Sequence, residues 1–175
     1  MKIQDVIEML RKMETEGVLE RYAIGGAVGA TFYLEPVSTL DVDVFVAFKP
    51  ETESLIVSPK PILDFLQTFG CKMEGEHIVI GGWPVQFLPA RGSLLQEALE
   101  NAVEFDVEGT PARVFTAEHL AAIALQTGRA KDKARLLQFI ESGAIDATGF
   151  EAILNRHQLA QGWQRFQRQF LGDTP

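Results

Sequence analysis

Cysteine is nearly missing from this chain: Cys71 is the only one in 175 residues. A single thiol cannot close a disulfide within the chain, and one buried thiol is ordinary in a reducing compartment, so a cytoplasmic location is expected. Long apolar runs are lacking as well. The opening stretch MKIQDVIEMLRKMETEG is broken by charges throughout and has no signal-like core. No segment approaches the roughly 20 apolar residues that a bilayer requires, and no membrane partner is expected. Positive charge is scarce, with 16 Lys and Arg against 24 Asp and Glu and a net charge of −8. That balance excludes broad electrostatic adhesion to nucleic acid or anionic membrane, although a local basic groove remains compatible with it. Repeats and low-complexity tracts are absent. The three histidines, His77, His119 and His157, are scattered without metal-ligand spacing and read as structural.

What remains is a chain that is 46% hydrophobic, long enough for one well-packed domain with a small helical appendage. Ile3, Val6, Ile7, Leu10 and Met13 recur at helical spacing and predict an amphipathic first helix ending near Gly17. RYAIGG reads as a short strand entering a turn, AVGATFYL as a short helix stopped before Pro36, and DVDVFVAF as the clearest strand of the chain. PILDFLQTFG is a helix with Pro61 near its start and Gly70 after its end. EHIVI and PVQFLPA, joined through GGW, form a hairpin. SLLQEALENA is a helix, and VEFDVEG with ARVF supplies one more strand or hairpin.

From Thr116 onward the pattern is helical only. Thr116 caps AEHLAAIALQTG, which stops at Gly128. KDKARLLQFIESG is a second helix, Asp146 caps a third, and LAQGWQRFQRQFL is a fourth. The expectation is an α+β domain over residues 1–115 with a helical C-terminal subdomain over 116–175.

Two features do not read as plain core. In a strand, residues two apart share a face, so Asp41 and Asp43 stand about 6.6–6.8 Å apart along the strand while Val42, Val44, Val46 and Phe48 take the core side. Two carboxylates repel, by up to about 4 kcal/mol if they approach to 4 Å at an intermediate dielectric. A divalent cation reverses that sign, and hard oxygen ligands suit Mg2+ or Mn2+. Alone, such a pair more often faces solvent or caps a strand. Gly25-Gly26 lies between a strand and a short helix, where missing side chains let backbone N–H groups approach a phosphate; alone, it is a tight turn. The order strand, Gly-Gly, short helix, loop, Asp-x-Asp strand lets one site hold phosphates by backbone and metal by carboxylate.

Ile24-Gly25-Gly26 followed by Asp41-Val42-Asp43-Val44 resembles the nucleotidyltransferase superfamily that includes DNA polymerase β. PVSTLDVDV is similar to the loop–strand junction of its small bacterial abortive-infection type toxins. The resemblance is specific over Tyr22–Val46, weaker through Ala90 and general in the tail. It implies a small mixed β-sheet with flanking helices, on which Asp41 and Asp43 bind the metal and act in catalysis while Gly25 and Gly26 contact the phosphates of a nucleoside triphosphate. It also implies a third carboxylate on a neighbouring strand, as metal ligand and base. The strand that fits is PVQFLP and its matching residue is Gln86, an amide that cannot serve as a base near neutral pH. Glu74, Glu76 and Asp106 are substitutes that the sequence does not place, and the loop carries Val37 where many relatives have a basic residue.

A second cluster, TGRAKDKARL, concentrates Arg129, Lys131, Lys133 and Arg135 in an acidic chain. It suits contact with a triphosphate or a polynucleotide, and Lys131-Asp132 matches in kind a motif of the related toxins. A solvated helix start with Asp132 near its positive end explains the cluster more simply. Trp83 and Trp163 read as core or interface. Three functions follow: a metal-dependent nucleotidyltransferase acting on an RNA, protein or small-molecule acceptor, with an antitoxin-like partner if it is toxin-like; a degenerate relative that binds nucleotide or a partner protein without turnover; or an unrelated α+β domain.

Overall fold

The alternation of DVDVFVAF organises the molecule, because it splits one strand between an apolar face and a polar one. The computed structural model describes residues 2–36, 38–39, 41–48 and 58–172; Val37 lies outside them. Among these, helix α1 (Ile3–Thr15) precedes strand β1 (Arg21–Ile24), short helix α2 (Gly26–Ala30) and strand β2 (Val42–Ala47). Helix α3 (Lys60–Thr68) leads to strands β3 (Lys72–Glu74), β4 (His77–Ile80) and β5 (Trp83–Pro89). Helix α4 (Ser93–Glu100) and the hairpin β6 (Val103–Val107) and β7 (Thr110–Val114) complete the mixed part. Helices α5 (Ala117–Thr127), α6 (Ala130–Ser142), α7 (Ala147–Arg156) and α8 (Ala160–Phe166) follow, and a π-helical turn, Gln167–Leu171, closes the chain.

The described strands form one mixed sheet in the order β3-β4-β5-β2-β1-β7-β6. β2 runs antiparallel to β1 and parallel to β5, with Asp43 directly opposite Gln86. On one face, Val42, Val44, Val46, Tyr22, Ile24 and Val85 pack with Val6, Ile7, Leu10 and Met13 of α1 and Ile62 and Leu66 of α3. Full burial of each such side chain contributes about 1.5–3 kcal/mol. Phe48, expected on this side, is half-buried against the cluster.

On the other face, Ala23, Phe45 and Phe115 pack with α4 to α8 through Leu94, Leu120, Leu136, Phe139, Phe150 and Phe166. The helical tail therefore covers the face that carries Asp43. Its predicted caps are present: the Thr116 hydroxyl accepts from the His119 N–H at 3.2 Å, and Asp146 accepts from the Gly149 N–H at 2.7 Å. Gly128 ends α5 at φ +67°, a left-handed position glycine takes without strain. Trp163 stacks on Phe166 at 5.7 Å and meets Phe150 edge-on, and Trp83 packs against the first cluster. No described helix is long and apolar enough to cross a membrane.

Two local differences from the sequence reading stand out. Strand β2 begins at Val42, so Asp41 sits immediately before it rather than within it. β3 is an additional edge strand, three exposed residues paired only to β4, whose sequence KME carries no apolar alternation to announce it.

Candidate functional site

Between the polar face of β2–β5 and the α5–α6 junction lies a cavity of about 310 Å³, at the small end of ligand sites. Its polar wall is Asp43, Gln86, Gln126, Arg129, Asp132 and Arg135; its apolar wall is Phe45, Leu88, Leu95, Phe115, Leu120 and Ile123, with Gly26 at the edge. The pleat explains this division. Asp43 and Phe45 point the same way from β2, as do Gln86 and Leu88 from β5, because each pair is two residues apart.

Asp43 is held in an unusual state. Burial pushes its pKa up first, and the charge of Asp41 pushes the same way, while Lys131, Arg135 and Arg129 pull it down. Asp41 lies outside the cavity lining and is half-exposed, with Oδ2 3.5 Å from Nε2 of His77.

The glycines have a packing reason of their own. Gly26 adopts φ +58°, and a Cβ there would run into the Asp43 carboxylate, with Cγ at 3.0 Å and Cβ at 3.1 Å. A Cβ on Gly25 would meet the Phe45 ring at 2.6 Å. The Gly25 N–H donates to the Asp43 carbonyl at 3.0 Å, which locks the turn to β2. Gly26→Ala is therefore expected to cost about 1–2 kcal/mol from the left-handed backbone alone, and more from displacing Asp43. Melting temperature should fall in this variant; an unchanged melt would contradict the close approach.

The basic cluster divides. Arg129 precedes α6 and its Nε donates to Asp132 Oδ2 at 2.6 Å, while Arg135 Nη1 lies 3.6 Å from Asp132 Oδ1. Asp132 is 2% exposed, so one buried carboxylate positions two guanidiniums on the cavity wall. It also accepts from the Arg129 N–H at 3.3 Å, closing the helix start as a capping residue does. Lys131 is exposed beside the cavity and acts on Asp43 through its charge. Lys133 instead lies over the Phe170 ring, 5.8 Å from its centroid. Among the substitutes for a third carboxylate, Asp106 lies on β6 at the far edge of the sheet. Glu74 is on β3, three strands from β2, or about 14 Å at normal strand spacing. Glu76 is exposed in the β3–β4 turn.

Sequence reasoning missed a polar cluster on α4. Glu97 accepts from Arg156 Nη2 at 2.6 Å, with His157 Nε2 at 2.7 Å and His119 Nε2 at 3.2 Å. Arg156 above all, then His157 and His119, holds the Glu97 carboxyl down at about 2. Glu97 therefore joins α4, α5 and α7 behind the cavity wall. A depressed folded pKa stabilises above the ordinary carboxylate range, and that stability is lost as pH falls towards about 2. Glu97→Gln should cost about 1–3 kcal/mol near neutral pH, a drop of roughly 2–12 °C in melting temperature for a chain of this size, with the difference closing in strong acid. Equal melting of the two proteins at neutral pH would refute this.

The fold matches known nucleotidyltransferase structures. The crystal structure of ANT(2'')-Ia in complex with adenylyl-2''-tobramycin aligns with TM-score 0.54 at 16% identity, covering 94% of this chain and 99% of that one. The solution structure of the same antibiotic-resistance factor aligns with TM-score 0.51 at 14% identity, covering 95% and 97%. An antigenic nucleotidyltransferase-like protein from Paracoccidioides brasiliensis aligns with TM-score 0.52 at 12% identity, over 91% and 90%. At these identities the likeness is one of fold: the chain has a nucleotidyltransferase fold across nearly its whole length. No family model and no curated protein sequence matches it.

Proposed function

We propose that the chain is a metal-dependent nucleotidyltransferase that moves a nucleoside monophosphate from a nucleoside triphosphate to a small-molecule acceptor. The observation that supports this most is the opposition, across one small cavity, of the carboxylate strand at Asp43 and the guanidiniums of Arg129 and Arg135. A triphosphate with its cation is complementary to both walls at once.

The residues fit a divalent cation in part. Asp43 on β2 and Asp41 just before it offer hard oxygens, and the repulsion by which Asp41 raises the Asp43 pKa is one that a bound cation would offset. Among the described residues no three His, Cys, Asp or Glu side chains gather closely enough to hold a metal. The rest of the coordination sphere then falls to phosphate oxygens and water. When bound, the cation neutralises phosphate charge and orients the reacting groups. Arg129 and Arg135, kept in place by Asp132, orient the phosphates; Lys131 adds positive charge at the rim. Gly25 and Gly26 bring the backbone close to the same point. Phe45, Leu88 and Phe115 exclude water from the inner wall, which strengthens each charge interaction there.

A small acceptor accords with a net charge of −8, which disfavours a polynucleotide. The match to ANT(2'')-Ia, whose crystal structure holds adenylyl-2''-tobramycin, spans nearly all of both chains and supports the same scale of acceptor. The test is incubation with each nucleoside triphosphate and Mg2+ or Mn2+ against small alcohols and amines, RNA and protein, read by mass spectrometry. A nucleoside monophosphate added to a small molecule supports the reading. Addition only to RNA or protein favours the toxin-like acceptor class with its antitoxin-like partner, and no metal-dependent triphosphate binding overturns the reading altogether. One observation favours a second reading, nucleotide binding without turnover: the residue facing Asp43 is Gln86, not a carboxylate.

A further inference from the structure

His77, read from the sequence as structural, stands where the site is short of a ligand. The β4–β5 pairing places Ile78 opposite Val85, and one step further along the hairpin puts His77 beside Gln86. Gln86 faces Asp43, so Asp43, Gln86 and His77 form one row across β2, β5 and β4. The His77 Nε2 is shut off from solvent and has no hydrogen-bond partner among the described residues. It lies 3.5 Å from Asp41 Oδ2, longer than a good hydrogen bond. That gap does suit two ligands of one ion. With metal–nitrogen and metal–oxygen bonds of about 2.1 Å, ligand atoms at a tetrahedral angle stand about 3.4 Å apart, and at a right angle about 3.0 Å.

We propose that His77 Nε2 is a nitrogen ligand of the divalent cation carried by Asp41, and that the site therefore selects a transition-series ion over Mg2+. The proposal rests on the nucleotidyltransferase reading in taking Asp41 as a metal carboxylate. An imidazole adds little for Mg2+, which prefers oxygen and keeps its waters, but binds Co2+ and Zn2+ well. The nitrogen donor supplies a ligand that Gln86 does not, without restoring a third negative charge.

Calorimetric titration of the whole chain with Co2+ alone and Mg2+ alone tests this, using wild type, His77→Gln, Asp41→Asn, Asp43→Asn and Glu97→Gln. The wild type should bind Co2+ at least tenfold more tightly than Mg2+. His77→Gln should lose that preference while keeping its Mg2+ affinity within about twofold, and Co2+ visible absorption should change in parallel. A measurement free of folding effects accompanies it: in wild type, added Zn2+ should move the imidazole 15N resonance of His77 before those of His119 and His157. Unchanged Co2+ affinity in His77→Gln, or Co2+ binding lost only in Glu97→Gln, overturns the proposal. If Asp41→Asn and Asp43→Asn lose metal while His77→Gln does not, only the His77 assignment fails. Absence of binding of either ion to wild type, with or without nucleotide, removes the metal reading beneath it.

Discussion

Asp43→Asn is expected to abolish metal-dependent nucleotide binding and at the same time to make the free protein more stable. Both effects come from one carboxylate. Burial and the neighbouring Asp41 raise its pKa against the pull of Lys131, Arg135 and Arg129, so folding disfavours the ionised form. An acid whose folded pKa is raised is stabilising or neutral when protonated and destabilising once ionised. Wild-type stability should therefore fall as pH rises from the ordinary carboxylate range through the raised value, and the Asn variant should lack that fall. Asn keeps nearly the same shape against Gly26 but offers no charge to a cation. With nucleotide and Mn2+ at about a hundredfold excess over Kd, wild type should gain about 2.7 kcal/mol, or roughly 5–11 °C in melting temperature. The variant should gain nothing. Asp41→Asn is the companion: its side chain is 43% exposed, so binding should weaken with little change in the melt of the free protein. A variant at Asp43 that melts below wild type at neutral pH, or keeps its ligand-induced shift, would sink the assignment.

The candidate site was partly legible in the sequence because its first half is local. Strand β2 announces itself by alternation, and the same alternation puts Asp43 on the face away from Val42 and Val44. Gly25 and Gly26 precede it by less than one helix and a loop. Thr116, Gly128 and Asp146 mark helix ends through side-chain or backbone chemistry within three residues, and they were legible for that reason. Gln86, which the resemblance matched to a third carboxylate on a neighbouring strand, does stand opposite Asp43.

The other half depends on contacts between distant parts of the chain. Glu97 meets residues 22 and 60 positions away, and nothing in SLLQEALE signals that its carboxylate will face two imidazoles and a guanidinium. His77 reaches Asp41 only because three strands align, which no spacing rule encodes. The basic cluster was visible, but its direction was not: Arg129 and Arg135 line the cavity while Lys133 meets Phe170. A left-handed Gly128 followed by a buried Asp132 decides that outcome through tertiary packing, not through helix propensity. Edge strand β3 escaped notice because exposed pairing needs no apolar pattern.

Gln86→Asp is the change expected to raise activity. Gln86 and Asp43 are register partners on adjacent parallel strands, and both line the cavity. An amide can donate and accept hydrogen bonds but cannot take a proton from an attacking hydroxyl near neutral pH. A carboxylate in this place supplies a base, a contribution typically worth about 10²–10⁴-fold in rate. Aspartate is one methylene shorter than glutamine, so its oxygens lie nearer the β5 backbone and the row with Asp43. A third negative charge has a cost without metal: the free variant should melt below wild type, and saturating Mn2+ should recover most of the difference. Steady-state transfer by wild type, Gln86→Asp and the Asp43→Asn control separates the possibilities. Faster transfer by Gln86→Asp with an unchanged KM for nucleotide places the gain in the chemical step, because uniform binding would have moved KM instead. Rapid transfer by wild type that Gln86→Asp does not improve and Asp43→Asn abolishes would mean that the acceptor hydroxyl loses its proton without help from β5. Binding of nucleotide by all but the Asp43 variant, with no transfer by any, would favour nucleotide binding without turnover and would show that Gln86 alone does not account for the silence.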